Sequence, residues 1–281
     1  MGSIGRSWDL LAQSWSVLKS DKELMLLPVV SAMFCLFASA MVLGGGALLI
    51  LPPGALQLTG IAPNGHLSQP AYFVIFAFYL VNYFVVIFFN VALVSAASEQ
   101  LAGRKGTLNA GLQIAWQRKG KILQWALLAA TVGIVLKALE RRFGRMGFYG
   151  ARLLGVAWSL ATYFVIPVIA AENLGPGEAL ARSAQLFKDN WGERVAGGFS
   201  FGLIFFFLML PGVIPIIIAA QSGPEWMIPA VAISVVYWLV LSVVNSALNG
   251  IFQAALYRYA TTKTTSMGFD AKDFAQAWQA R

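Results

Sequence analysis

Residues 24–51 read LMLLPVVSAMFCLFASAMVLGGGALLIL, with no Asp, Glu, Lys or Arg among them. About 18 such residues are enough to carry a helix across a bilayer. Five further uncharged apolar runs follow, at 71–98, 122–136, 153–171, 195–220 and 227–257. In lipid every backbone N–H and C=O needs a partner within the structure, which leaves only helices or a closed barrel. Barrel strands alternate polar and apolar residues over about ten positions, and these runs do not alternate. The expected fold is an all-α polytopic transmembrane helical bundle of about six spans. Only 11% of the chain is charged, against about 25% in soluble proteins.

The run 24–37 followed by Ala38-Ser39-Ala40 has the outline of a signal peptide. The polar segment before it and the apolar residues continuing to Leu51 point instead to an uncleaved first span. The third run, 15 residues long, gives a helix of about 22 Å against a hydrocarbon core of roughly 30 Å. Lys121 and Lys137 flank it and can snorkel. Pro211 and Pro215 predict a break in the fifth span.

Lys and Arg set the orientation. The N-terminal segment carries Arg6, Lys19 and Lys22; the segment after the second span carries Arg104, Lys105, Arg118, Lys119 and Lys121; that after the fourth carries Arg182, Lys188 and Arg194. The C-terminal segment adds Arg258, Lys263, Lys272 and Arg281, while the first and fifth loops carry none. This places both termini on the cytoplasmic side of a bacterial inner membrane. The third loop disagrees, because Lys137, Arg141, Arg142, Arg145 and Arg152 face outward if spans three and four both cross. A re-entrant hairpin would keep them inside.

An amphipathic segment precedes each odd-numbered span. Trp8, Leu11, Trp15 and Leu18 share one helical face; so do Leu108, Leu112, Ala115 and Trp116 behind a Thr107 cap; so do Leu180, Ala184, Phe187 and Trp191 after Pro176. Within "SDKE", Ser20 and Glu23 have capping-box spacing. Asn90-Val-Ala-Leu in the second span echoes Asn245-Ser-Ala-Leu in the sixth, with Pro167 between them (167 − 90 = 77; 245 − 167 = 78). The chain therefore reads as one integral membrane domain with a possible threefold repeat of interfacial helix plus helical hairpin. The units are 1–98, 99–172 and 173–260, and an amphipathic tail, 261–281, carries Phe274, Ala277 and Trp278.

The stretches SWSVLKSDKELMLLP, TYFVIPVIAAENLGPGEALARS and LFKDNWGE resemble signature stretches of an uncharacterised family of prokaryotic polytopic membrane proteins, a domain of unknown function. The resemblance covers nearly the whole chain. It implies a multi-span fold and supplies no catalytic residue.

None of the twelve acidic residues lies at the centre of a span, and the chain has one histidine, His66, and one cysteine, Cys35. Metal clusters, disulfides and HExxH, G-x-S-x-G or P-loop chemistry have nothing to stand on. A non-enzymatic protein without cofactor or metal is expected. Its deep polar residues are neutral. Ser242, Asn245, Ser246, Asn249 and Gln253 fall within an arc of about 100° on the last span, and Asn82 and Asn90 share a side of the second. This seam reads either as interhelical glue or as the wall of a path for a small solute or ion, within the bundle or between copies in a homo-oligomer. Gly44, Gly45, Gly46, Gly198 and Gly202 are candidate packing positions, and Trp8, Trp15, Trp116, Trp191 and Trp278 are candidate interfacial anchors. In "ERRFGRMGFYGARLLG", Arg141, Arg142, Arg145 and Arg152 suit lipid phosphates or an anion at a pore mouth, on a tip that glycines keep flexible. Its place between apolar spans argues against nucleic acid. Glu172 and Arg182 are spaced either for a local ion pair or as separately solvated charges. The leading expectation is a pore or permease-like assembly. The alternative is a structural or lipid-interacting scaffold or accessory subunit whose partners are membrane lipids, anionic ones above all at a net charge of +8.

Overall fold

The computed structural model describes residues 3–50, 69–142, 144–190 and 201–264. Among these there are eleven α-helices and no strand. They are α1 (Ser3–Ser20), α2 (Leu26–Ile50), α3 (Gln69–Leu101), α4 (Leu108–Gln117), α5 (Lys119–Arg142), α6 (Gly144–Ala161), α7 (Val165–Glu172), α8 (Pro176–Asn190), α9 (Phe201–Met209), α10 (Ile214–Ser222) and α11 (Met227–Thr262). The tail beyond residue 264, with Phe274 and Trp278, lies outside the described residues.

Local chemistry sets several boundaries. Thr107 Oγ1 accepts from Ala110 N–H at 3.3 Å and starts α4. Pro176 opens α8, and Glu178 Oε2 accepts from Gly175 N–H at 3.1 Å. At the entry to α2 the cap is Asp21, whose Oδ1 accepts from Glu23 N–H at 3.1 Å. The expected partner, Ser20, donates instead to Val17 O at 2.7 Å. The acceptor-rich carboxylate one residue on takes the cap, while the serine hydroxyl folds back onto its own helix.

Among the described residues five helical stretches are long and apolar enough to cross a membrane: Lys22–Ala47, Ala71–Leu101, Arg152–Glu172, Ile204–Ser222 and Pro224–Thr262. The expected third span, 122–136, lies inside α5, which is not among the five. Charges at Lys119, Lys121, Lys137, Glu140, Arg141 and Arg142 close in on both ends of its apolar run. The break expected from Pro211 and Pro215 is present: α9 stops at Met209, a 3₁₀ turn spans Leu210–Val213, and α10 resumes at Ile214.

The chain divides into two compact units. The first joins Met1–Pro28, Leu93–Gly111 and Gln185–Arg281. In it α1 packs on α11 and buries Leu10, Ser14, Val17 and Leu18. Small residues let backbones approach, since lipid tails supply no hydrophobic drive between helices. Gly250 of α11 sits against the Leu93 side chain, and Gly106 sits against the backbone at Ala96, so neither has room for a Cβ. Gly212, in the 3₁₀ turn, faces the Trp238 and Tyr237 side chains. Those two residues also repair the break: Tyr237 Oη donates to Leu208 O at 2.6 Å and Trp238 Nε1 to Met209 O at 3.0 Å.

The second unit comprises Val29–Ala92 and Leu112–Ala184. In it α2 and α3 pair antiparallel, with Phe34 near Phe89 (ring centroids 5.5 Å apart), Ser39 bonded to Asn82, and Gly46 against Val74. Helices α5 and α6 pack as a hairpin in which Trp125 stacks on Trp158 at 5.9 Å. The span formed by α6 and α7 is interrupted at Thr162–Phe164, and the Phe164 N–H donates to the buried Ser183 Oγ of α8 at 2.9 Å.

Helices α3 and α11, at 33 and 36 residues, are about 50 and 54 Å long, well beyond a hydrocarbon core of about 30 Å. Each changes character along its length. On α3, Tyr72, Phe73, Tyr79, Tyr83 and Val86 are exposed, whereas Val91, Ala92, Leu93, Val94, Ala96 and Ala97 are buried. On α11, Ile228, Ile233, Val236, Leu239 and Val240 are exposed, whereas Ala247, Leu248, Ile251, Phe252, Ala254, Ala255 and Leu256 are buried. The span made by α6 and α7 does the same, from exposed Leu153, Leu154 and Val156 to buried Val165, Val168 and Ile169.

Gly250→Val should force Leu93 aside and cost about 1–3 kcal/mol, lowering the thermal unfolding midpoint in detergent. Gly45→Ala, at a position with open space, should leave the midpoint unchanged. Equal midpoints for the two variants would refute the Gly250 contact.

Candidate functional site

The α11 stripe begins where the helix passes from its exposed half to its buried half. Ser242 and Asn249 are exposed, and Asn245, Ser246 and Gln253 are half-buried. Asn249 Nδ2 donates to Asn245 O at 2.8 Å and to Asn245 Oδ1 at 2.7 Å. The two amides thus form a ladder one helical turn long. Asn245 Nδ2 and Asn249 Oδ1, one donor and one acceptor, have no partner among the described residues. The small face Ala247, Gly250 and Ala254, which packs, lies about a third of a turn round the helix. Buried Leu248 and Phe252 lie on the other side of the stripe, which runs between two packed faces, with Ser242 and Asn249 exposed.

Asn82 behaves differently. Its Nδ2 donates to Phe78 O at 2.9 Å, and its Oδ1 accepts from Ser39 Oγ of α2 at 3.2 Å. That is an interhelical tie. Asn90 is half-buried on α3. Asn82 and Asn90 belong to the second unit and the α11 stripe to the first.

Three helix ends share a second arrangement. The last carbonyls of a helix lack internal donors and carry partial negative charge. Helix α3 leads into Gly103 (φ 77°), α7 ends at Asn173 (φ 53°), and α11 ends at Lys263 (φ 56°), all left-handed. Another segment is hydrogen-bonded at each: α1, the α4–α5 junction and α8 in turn. At the end of α3, Gln100 Nε2 donates to Ser20 Oγ at 2.8 Å and Val17 O at 3.4 Å of α1. At the end of α7, Arg118 Nη1 donates to Ile169 O and Lys121 Nζ to Asn173 O. At the end of α11, Asn190 Nδ2 of α8 donates to Ala260 O at 3.5 Å, and Lys263 Nζ donates to Asn190 Oδ1. Glu172 and Arg182 form an ion pair, Arg182 Nε donating to Oε1 at 3.1 Å and Oε2 at 3.2 Å. Glu99 and Arg104 pair likewise after α3.

The anchors and glycines sort unevenly. On α1 the buried face is Leu10, Ser14, Val17 and Leu18, while Trp8 and Trp15 are 56% and 38% exposed. The tryptophans therefore lie off the packed stripe in which the sequence pattern placed them with Leu18. On α8 the buried face is Ala179, Ser183, Leu186 and Phe187, with Leu180 and Ala184 at its edge. Trp116 is 62% exposed; Trp191 and Trp278 lie outside the described residues. Gly46 meets Val74, but Gly44 and Gly45 face open space. Gly198 lies outside the described residues, and Gly202 falls in the first turn of α9. The close approaches that sequence reading missed, at Gly106, Gly212 and Gly250, are single glycines. Only Gly250 had a signal, its small neighbours Ala247 and Ala254 at helical spacing.

Arg141 and Arg142 end α5, where the helix dipole favours cations, while Arg145 and the exposed Arg152 lie in α6. Gly144, Gly147 and Gly150 are helical residues of α6. Packing of α6 on α5 overrides the weak helix propensity of glycine. Among the described residues no group of three His, Cys, Asp or Glu converges.

Residues 70–269 match the DUF6159 family, a family of unknown function. The match takes in well over half the chain, and the protein belongs to this family. No curated protein and no solved structure matches it.

A double-mutant cycle of Ser39→Ala and Asn82→Leu should return a coupling of about 0.6 kcal/mol, and no more than about 1.7 kcal/mol, in detergent unfolding. Strict additivity would remove the interhelical tie.

Proposed function

We propose that this DUF6159 protein is a pore or permease-like assembly that passes a small solute or ion along the Ser242–Asn245–Ser246–Asn249–Gln253 face of α11. One observation carries the reading. Two asparagines on a candidate membrane span satisfy each other only in part, and the exposed face they occupy holds an open donor and an open acceptor. Hydrocarbon cannot pair them, so water or a polar solute must meet this face. A path between copies of the chain meets that need, because Ser242 and Asn249 of the stripe are exposed.

The same proposal includes six spans and three copies of one unit, with α5 crossing as the short third span. The left-handed ends of α3, α7 and α11, each hydrogen-bonded to a preceding segment of the chain, support the repeat. So does the shared change from an exposed first half to a buried second half in the three even spans. The Lys and Arg distribution supports cytoplasmic termini in a bacterial inner membrane. The second reading, a lipid-interacting scaffold, draws on the Ser39–Asn82 bond, where a deep amide acts purely as glue.

In liposomes the purified protein should conduct ions or take up small polar solutes. Asn245→Leu and Asn249→Leu should each abolish that flux with the melting profile retained. Absence of flux in the unaltered protein across ions and small polyols, or undiminished flux in both variants, would defeat the proposal. Sidedness is a separate check: Arg145→Cys in a Cys35→Ala background should react with an impermeant maleimide on intact cells. Labelling only after lysis would make the α5–α6 hairpin re-entrant.

A further inference from the structure

We propose that Trp116 and Lys119 form a binding site for the phosphate of an anionic glycerophospholipid. Three cations crowd the junction of α4 and α5: Arg118, Lys119 and Lys121. Two are committed, since Arg118 and Lys121 donate to Ile169 O and Asn173 O at the end of α7. Lys119 takes another course. Its Nζ lies 3.9 Å from the centroid of the Trp116 ring, and both residues are exposed. Neither ion pair among the described residues, Glu99–Arg104 or Glu172–Arg182, involves Lys119. Glu178, the other carboxylate beside the end of α7, caps Gly175.

The carbonyl contacts fix the depth of this pair. Helix α7 ends the candidate span Arg152–Glu172, so its last carbonyls mark the boundary between hydrocarbon and water. Arg118 and Lys121 hold the α4–α5 junction to that boundary, and Trp116 stands one turn away. A membrane-boundary indole carrying an ammonium on its face offers two surfaces at once. The ammonium presents N–H donors to phosphate oxygens, and the open part of the ring takes the glycerol and first methylenes of an acyl chain. A free phosphate would use the first surface and leave the second against water. An acidic peptide would have to displace lipid to reach it.

The test uses the full chain in vesicles of phosphatidylcholine mixed with phosphatidylglycerol, with one or the other lipid brominated so that it quenches tryptophan. Subtracting the signal of Trp116→Phe isolates Trp116. Brominated phosphatidylglycerol should quench Trp116 with about fivefold preference over brominated phosphatidylcholine, as expected from about 1 kcal/mol per interfacial cation. Lys119→Gln should abolish the preference and Lys119→Arg should keep it. Equal quenching by the two lipids, or a preference surviving Lys119→Gln, would overturn the site. Loss of the preference in excess inorganic phosphate would assign the pair to a free anion and overturn the lipid. The outcome is independent of solute flux.

Discussion

A helix leaving a bilayer carries carbonyls that no longer have a donor four residues ahead. In this chain that constraint organises the molecule. Helices α3, α7 and α11 each reach a left-handed residue, Gly103, Asn173 or Lys263, and side-chain hydrogen bonds link each end to another segment: α1, the α4–α5 junction and α8 in turn. The contact chemistry differs at the three ends. A glutamine amide reaches into α1, an arginine and a lysine cover the carbonyls of α7, and an asparagine bridges α8 to α11. At α7 and α11 a fixed donor reaches a carbonyl that would otherwise be left to solvent, whereas α3 closes its own carbonyls through the N–H groups of Ala102, Gly103 and Arg104.

Helices α3 and α11 each divide into two halves of different chemistry. Their exposed halves carry large apolar side chains that lipid accepts without cost, while their second halves carry Ala92, Ala96, Ala97, Ala247, Gly250 and Ala254. Large residues there would hold the backbones apart and pull α1 off the helix ends. The buried faces of α1 and α8, Leu10–Ser14–Val17–Leu18 and Ala179–Ser183–Leu186–Phe187, have the same spacing, and both place a serine second. Ser183 shows what such a serine can do: it accepts the Phe164 N–H that the break between α6 and α7 leaves open.

Sequence alone marked the five stretches that form long apolar helices, because a bilayer's thickness of uncharged apolar residues finds its lowest free energy in lipid. The break at Pro211 and the Thr107 cap were legible too, since each follows from a single residue's covalent structure. The packed faces of the amphipathic helices were not. Tryptophan counts as apolar in any periodic reading, yet Trp8, Trp15 and Trp116 stand outside the packed stripe, where a ring with one polar edge is better placed. Glycine misled in both directions. The Gly44–Gly45–Gly46 run looks like a contact and contributes one residue, whereas the lone Gly106 and Gly212 touch backbone and aromatic rings. Which neighbour reaches a glycine is a tertiary fact that composition does not carry. At the α11 stripe the sequence supplied the arc, and the placement of the packing face beside it came only from the structure.

The contrast between Asn82 and Asn249 bears most directly on function. An amide inside a membrane has three sources of partners: its own helix, a neighbouring helix, or matter outside the protein. Asn82 uses the first two and needs no third. Asn249 spends its donor on Asn245, which leaves one donor and one acceptor along an exposed ladder. A neighbouring hydrophobic helix would bury both at a cost, and lipid would do the same. A polar partner lowers the free energy of this face. Under the proposed function, selection along the stripe rests on hydrogen bonding and size.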